Sequence, residues 1–185
     1  MGLGNPGERY AGTRHNVGFQ VAARLAKRAR LEFDAKAAES RIAEGGFAGL
    51  RVVIARPQTF MNDSGRAARK LLERYRLTPA ELLVISDDID LPLGTLRIRE
   101  RGGPGTHNGL RSIVGQIGEG FPRLRIGVSP ADPGAQIAGD LADYVLDPFS
   151  EDEREAAEAA LTKATEAAEV LLRDGLRRAM DTFNG

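Results

Sequence analysis

The chain has 185 residues, 26 Lys plus Arg balanced by 26 Asp plus Glu, 22 glycines and no cysteine. A chain of this length buries about 70% of its unfolded surface in one domain, and without cysteine it can form no disulfide framework, thiolate metal site or cysteine nucleophile. No run of about 18 apolar residues marks a membrane span, and the N-terminus lacks the charged and apolar regions of a signal peptide, so the sequence predicts a cytoplasmic protein with no membrane partner.

The opening Gly2-Leu3-Gly4-Asn5-Pro6-Gly7 fits G-x-G-x-x-G, but a dinucleotide loop follows a buried strand and opens a helix. Here only Met1 precedes it and Glu8–His15 reads as loop, so the glycines are expected to shape the backbone around Asn5. Val17–Arg30 repeats apolar residues every four positions (Val17, Val21, Leu25, Ala29), a helix behind an Asn16 cap. Arg41–Glu44 and Leu50–Ala55 flank a five-residue turn, Gly45 to Gly49, and predict a hairpin. Ser64–Arg76 reads as a second helix. Glu81–Ser86 is a continuous apolar run ended by acids, hence a buried strand. Thr95–Glu100 alternates, with Leu96 and Ile98 inward and Arg97 and Arg99 outward. Asn108–Ile117 is a short helix and Arg123–Val128 another strand. From Ser150 the tail is helical, opened by a Ser150–Glu153 capping box and striped by Ala157, Leu161, Ala164, Ala168 and Leu171. Strands and helices alternating through 1–185 predict one α/β domain with a layered sheet.

Charge is unevenly spread. Residues 1–150 carry 21 basic and 17 acidic side chains, whereas residues 151–185 carry 5 and 9. Arginine makes up 22 of the 26 basic residues, which suits bidentate phosphate contacts; a coding bias that also favours Ala accounts for the same excess.

Few residues can do chemistry. Two histidines, His15 and His107, each precede a predicted helix in polar surroundings. Taken alone, either is a structural or exposed residue. His15 gains weight from the acidic cluster Asp87-Asp88-Ile89-Asp90, because ligand sites in open α/β sheets gather at the carboxyl ends of strands. A carboxylate there can fix an imidazole's tautomer while the other ring nitrogen takes a proton from water. A polar turn before Pro92 is the structural alternative for at least one of the three acids. Asn5, Asn16, Asn62 and Asn108 sit beside Gly, His or helix starts, where capping explains each singly; amides also bind peptide groups and donate to oxyanions. G-x-S-x-G and H-E-x-x-H are absent, which leaves a histidine-activated water as the most economical hydrolytic chemistry.

Five collinear segments, GLGNPGERYAGTRHNVGF (Gly2–Phe19), PQTFMNDSG (Pro57–Gly65), DDIDLPLG (Asp87–Gly94), GTHNGLRSI (Gly105–Ile113) and FPRLRIGV (Phe121–Val128), together resemble the bacterial peptidyl-tRNA hydrolases. DYVLDPF (Asp143–Phe149) and the acidic C-terminal helix also fit. The resemblance implies a single-domain three-layer α/β/α fold with a mixed central sheet, acting without metal or cofactor on the ester of peptidyl-tRNA; a monomer is the default expectation. It implies His15 as general base, Asp87 as its orienting acid, and Asn5 as the residue that tells a peptidyl ester from a free aminoacyl ester. Tyr10, Phe60, Asn62 and Asn108 match substrate-contacting positions at the CCA end, with Met61 lining the same crevice. Arg99 and Arg125 match positions that hold the tRNA's terminal phosphate.

Two departures accompany the match. Members of the family open with a short apolar strand before the glycine loop; its absence here implies either a shortened strand or a start downstream of the natural one, and the second is expected because losing a central strand would remove core contacts. Pro104 and Thr106 replace the histidine and glycine common in the family's loop, which leaves the role of that loop open and predicts a structural or substrate-side role for His107. Two rival readings remain: a phosphohydrolase gathering Mg²⁺ on Asp87, Asp88 and Asp90, and a non-catalytic RNA-binding module, disfavoured by only 10 aromatic residues and no Trp.

Overall fold

The computed structural model describes residues 1–132, 137 and 139–184. Three antiparallel strands, β1 (Ala35–Ala37), β2 (Ser40–Phe47) and β3 (Leu50–Pro57), form one half of a sheet in the order β1-β2-β3. The other half is β4 (Val84–Pro92), β6 (Arg123–Ser129) and β5 (Leu96–Arg99), with β4 parallel and β5 antiparallel to β6. Met1–Leu3 joins the halves. Gly2 N–H donates to Ala55 of β3 (3.0 Å), Leu3 N–H donates to Ile85 of β4 (2.8 Å), and Ile85 N–H donates back to Met1 (2.9 Å). Three residues therefore make the ladder bonds of a parallel strand between β3 and β4, where the sequence offered no strand-length apolar run.

Period-two alternation sends neighbouring side chains to opposite faces. Ala43, Ile54 and Ile85 enter a core with α1 (Val17–Ala29) and α5 (Arg154–Asp174). Their neighbours Ile42, Ala55 and Val84 enter a second core with α2 (Ser64–Tyr75) and α3 (Asn108–Ile117). The result is the expected three-layer α/β/α arrangement around a mixed sheet. A short α4 (Leu141–Leu146) precedes α5, and α6 (Leu176–Phe183) follows it across Gly175. Beyond α6, the Asn184 amide bonds both N–H and C=O of Ile98 (2.6 and 3.1 Å), acting as a one-residue neighbour for strand β5.

Three local expectations change. Gly45-Gly46-Phe47 extend the β2–β3 ladder, and only Ala48-Gly49 turn, both with positive φ (53° and 78°) as a two-residue hairpin demands. β4 does not stop at the acids but runs through Asp87 and Asp88 before a register shift, and both buried carboxylates find the partners described below. α5 begins at Arg154, four residues after Ser150; the Glu153 carboxylate still accepts Ser150 N–H (2.8 Å), but it is also tied to Arg14 (2.5 Å). Val17–Ala29, Ser64–Tyr75, Asn108–Ile117, Leu96–Arg99 and Arg123–Ser129 lie where the sequence placed them.

Candidate active site

The site assembles where α1 and α3 begin beside the carboxyl-terminal part of β4. Close backbone approach makes this possible. A Cβ on Gly18 would lie 2.4 Å from the Ile85 carbonyl and 2.5 Å from Leu3 N, and one on Gly2 would lie 2.0 Å from the Gly18 carbonyl. Only glycine lets the first turn of α1 rest on strand backbone at both places. That contact carries His15, in the 3-10 turn Arg14–Asn16, onto Asp87.

His15 Nδ1 is 2.9 Å from both Asp87 oxygens, and His107 Nε2 is 2.9 Å from Asp87 Oδ1. The carboxylate side chain is 3% exposed, and those of His15 and His107 are 12% and 9% exposed. Burial alone would raise the Asp87 pKa; the charges of His107 and His15 and their hydrogen bonds outweigh it and hold the carboxyl well below the usual range. His107 Nδ1 accepts the Leu110 N–H at 3.2 Å, so a neutral His107 must carry its proton on Nε2 and donate it to Asp87. His15 donates from Nδ1 in the same way, leaving its Nε2 lone pair free to take a proton. The ring centroids of the two histidines are 5.1 Å apart.

This trio brings three possible metal ligands within 4.8 Å of one another, but its tautomers suit hydrogen bonding better than ligation. A metal on His107 Nε2 would need the lone pair that the Leu110 N–H bond places on Nδ1. The sequence cluster Asp87, Asp88 and Asp90 does not converge either. Asp87 and Asp88 are strand neighbours and point to opposite faces; Asp88 pairs with Arg125 (Nε to Oδ2, 2.8 Å), and its other oxygen accepts the Asp90 N–H. Burial pushes the Asp88 carboxyl up, with Arg125 opposing that shift.

Asparagines build the adjoining wall. Asn16 holds the N-cap position of α1, but its side chain makes no capping bond: its Oδ1 accepts Asn5 N–H (2.8 Å) and its Nδ2 donates to the Asn5 carbonyl (3.0 Å). Asn5 Oδ1 accepts Met61 N–H at 2.8 Å. Buried Asn5 is thereby held at its backbone N–H, its carbonyl and its Oδ1, with Nδ2 the end left to donate. Met61 is buried, and a Cβ on Gly109 would strike Met61 Sδ at 2.5 Å and meet His107 and Leu3 at 3.0 Å. Asn5, Met61 and His107 are therefore joined through packed contacts. Asn62 and Asn108 follow Met61 and His107 directly and are exposed; Asn108 Oδ1 accepts from Arg111 (3.1 Å). Phe60 is 53% exposed, beside Met61. Tyr10 is held in the loop before His15, with Arg9 stacked 4.5 Å over its ring, and no described contact joins it to Asp87.

On the far half of the sheet, Arg97 and Arg99 of β5 pair in register with Arg125 and Arg123 of β6. All four side chains share one face, opposite the apolar Leu96, Ile98, Leu124 and Ile126. Arg123 is buried and holds the carbonyls of Gly102, Gly103, Glu119 and Phe121, which shapes the loop leading to His107. Arg99 is exposed, and Arg125 shares its charge with Asp88.

Sequence reasoning missed two residues here. His107 as the second partner of Asp87 was signalled only by its place before a helix in a glycine-rich loop. Arg14 carried no signal: buried beside His15, it donates to the carbonyls of Asp147 (3.2 Å) and Pro148 (2.8 Å), pairs with Glu153, and stacks 4.1 Å over Tyr144. It fastens the segment around α4 to the turn that bears His15.

Known proteins match this chain along its whole length. The family model described as Peptidyl-tRNA hydrolase matches residues 1–185. A peptidyl-tRNA hydrolase of Chloroflexus aurantiacus is 54% identical, covering 100% of this chain and 97% of the relative; one of Roseiflexus sp. (strain RS-1) is 52% identical, covering 100% and 84%. The crystal structure of peptidyl-tRNA hydrolase from Acinetobacter baumannii superposes with a TM-score of 0.90 at 33% identity, covering 100% of this chain and 92% of that one. With its mixed sheet, its three layers and a match along its whole length, the chain belongs to the peptidyl-tRNA hydrolase family.

Proposed function

We propose that the chain, as one domain over 1–185 and as a cytoplasmic monomer, cleaves the ester between a peptide and tRNA by a His15-activated water, with no metal or cofactor. The observation that carries this reading is the buried Asp87 carboxylate, held by His107 and centred on His15 Nδ1 at 2.9 Å. His15 Nε2 takes a proton from water as the oxygen attacks the ester carbonyl. Asp87 stabilises the imidazolium that forms, and His15 returns the proton to the departing ribose oxygen. The oxygen of an ester is expelled more readily than the nitrogen of an amide, so a base with oxyanion donors suffices without a covalent intermediate.

Asn5 Nδ2 is the donor placed to meet the substrate's peptide carbonyl, which a free aminoacyl ester lacks. In this reading Tyr10, Phe60, Met61, Asn62 and Asn108 surround the peptide and the CCA end, and Arg99 and Arg125 hold the terminal phosphate. The test compares N-acetyl-aminoacyl-tRNA with its unblocked counterpart in excess EDTA, using wild type and His15→Ala. Wild type should cleave only the blocked ester, and His15→Ala should lose about 10²–10⁴-fold in kcat while remaining folded. Loss of wild-type activity in EDTA would return the Mg²⁺ reading, and tRNA binding without hydrolysis would leave an RNA-binding module.

A further inference from the structure

A second cationic site lies between the C-terminal end of α1 and β3, in the half of the sheet away from Arg99 and Arg125. An open cleft of about 470 Å³ is lined by Lys27, Arg30 and Arg56, with Phe33 and Leu31 as its apolar wall and Glu32 as its one acid. Arg41 stands directly opposite Arg56 in the β2–β3 register and donates to the Phe33 carbonyl (3.1 Å). Like charges directly opposed on a ladder destabilise it, and among the described residues no carboxylate pairs with Lys27, Arg30, Arg41 or Arg56. By contrast, Arg24 and Arg28 on the same helix are paired with Glu158, Glu166 and Glu169 of α5. The Arg56 guanidinium lies 4.1 Å over the Phe33 ring, its Nε is buried without a partner, and burial and Arg41 both lower its pKa. Four cations gathered at a local cost, one of them half-buried, mark a place built for an anion.

One side chain, Phe19, lies between Arg56 of the cleft and the wall of the active site. The Phe19 ring packs on Gly4, next to Asn5, and Arg56 lies 5.9 Å from its centroid. From Phe19 along α1 to Arg30 of the cleft is roughly 16 Å by helix rise, which an extended peptide of about five residues spans. This rests on the reading above: if Arg99 and Arg125 hold the tRNA end, the opposite side of His15 must take the peptide. We infer that the cleft of Lys27, Arg30 and Arg56 is a subsite for acidic side chains of the peptidyl moiety, upstream of the residue esterified to tRNA.

The test uses one tRNA carrying N-acetylated ten-residue peptides with the same C-terminal residue and with Glu, Ser or Lys at the fourth to eighth positions from the ester. Wild type should favour Glu over Ser by about three- to tenfold in kcat/KM at low salt, the range open to a few exposed ion pairs. Arg56→Gln should bring that ratio close to one, and Lys27→Gln, an exposed change that cannot disturb the core, should reduce it partway. Equal rates on the three peptides, or a preference unaltered in both variants, would overturn the inference. Equal weakening of deacylated tRNA binding by both variants would also overturn it and make the cleft an RNA surface. Failure of wild type on N-acetyl-aminoacyl-tRNA, which has no upstream residues, would instead count against the catalytic reading.

Discussion

Asp87 bears the greatest chemical demand of any single residue, since a buried carboxylate is stable only if charge and hydrogen bonds replace the lost water. His15 and His107 supply both, and their combined effect wins over burial and keeps Asp87 ionised. A carboxyl held below its unfolded value contributes stability that is complete above about pH 4 and is lost as the pH falls through the folded value. For Asp87 that loss lies well under pH 4. Its side-chain carbon signal in NMR should therefore show no titration step between about pH 7 and about pH 4, and a midpoint near 4 would overturn the assigned environment. Asp87→Asn should lower kcat by about 10²–10⁴-fold, because an amide can present N–H to His15 Nδ1 and favour the wrong tautomer. Single-turnover hydrolysis measures that loss.

At the scale of elements, glycine decides how closely helices approach strands and each other. Gly18→Ala would drive a Cβ into the Ile85 carbonyl and Leu3 N, so α1 must shift off the strands that carry Asp87. The expected cost is about 1–3 kcal/mol, seen as a Tm lower by several degrees together with a larger loss of activity than of stability. Gly115 in α3 has nothing within 4 Å of its would-be Cβ. Gly115→Ala should raise stability by about 0.4–1 kcal/mol and leave hydrolysis intact. Equal Tm values for the two variants would refute this account of the contact between α1 and the sheet.

For the whole molecule, a formal net charge of zero conceals separate charged faces. α5 presents glutamates that pair with Arg24 and Arg28, while the face of β5 and β6 presents arginines. A polyanion is then drawn to one side without attraction from the net charge. Arg99→Gln should weaken tRNA binding and reduce the slope of log K against log salt by about one. Binding isotherms at several salt concentrations measure it, and equal slopes for variant and wild type would remove Arg99 from the phosphate contact.

The sequence by itself determined the layered α/β class, five of the helices and strands, and the candidate pair His15 and Asp87. These are written in local terms: apolar periodicity, alternation in Thr95–Glu100, and the scarcity of histidine. It could not determine which loops meet. Asn16 and a cap residue look identical until Asn5 arrives from another segment to occupy both ends of its amide. Asp88 and Asp87 look equivalent until strand alternation turns one toward Arg125 and the other toward two histidines. Arg14 reads as one basic residue among many until the chain returns 130 residues later to be held by it. Met1–Leu3 carries no strand signal, yet the unpaired edges of β3 and β4 make it one. Hydrogen-bond partners distant in sequence set each of these roles, so only the tertiary structure could assign them.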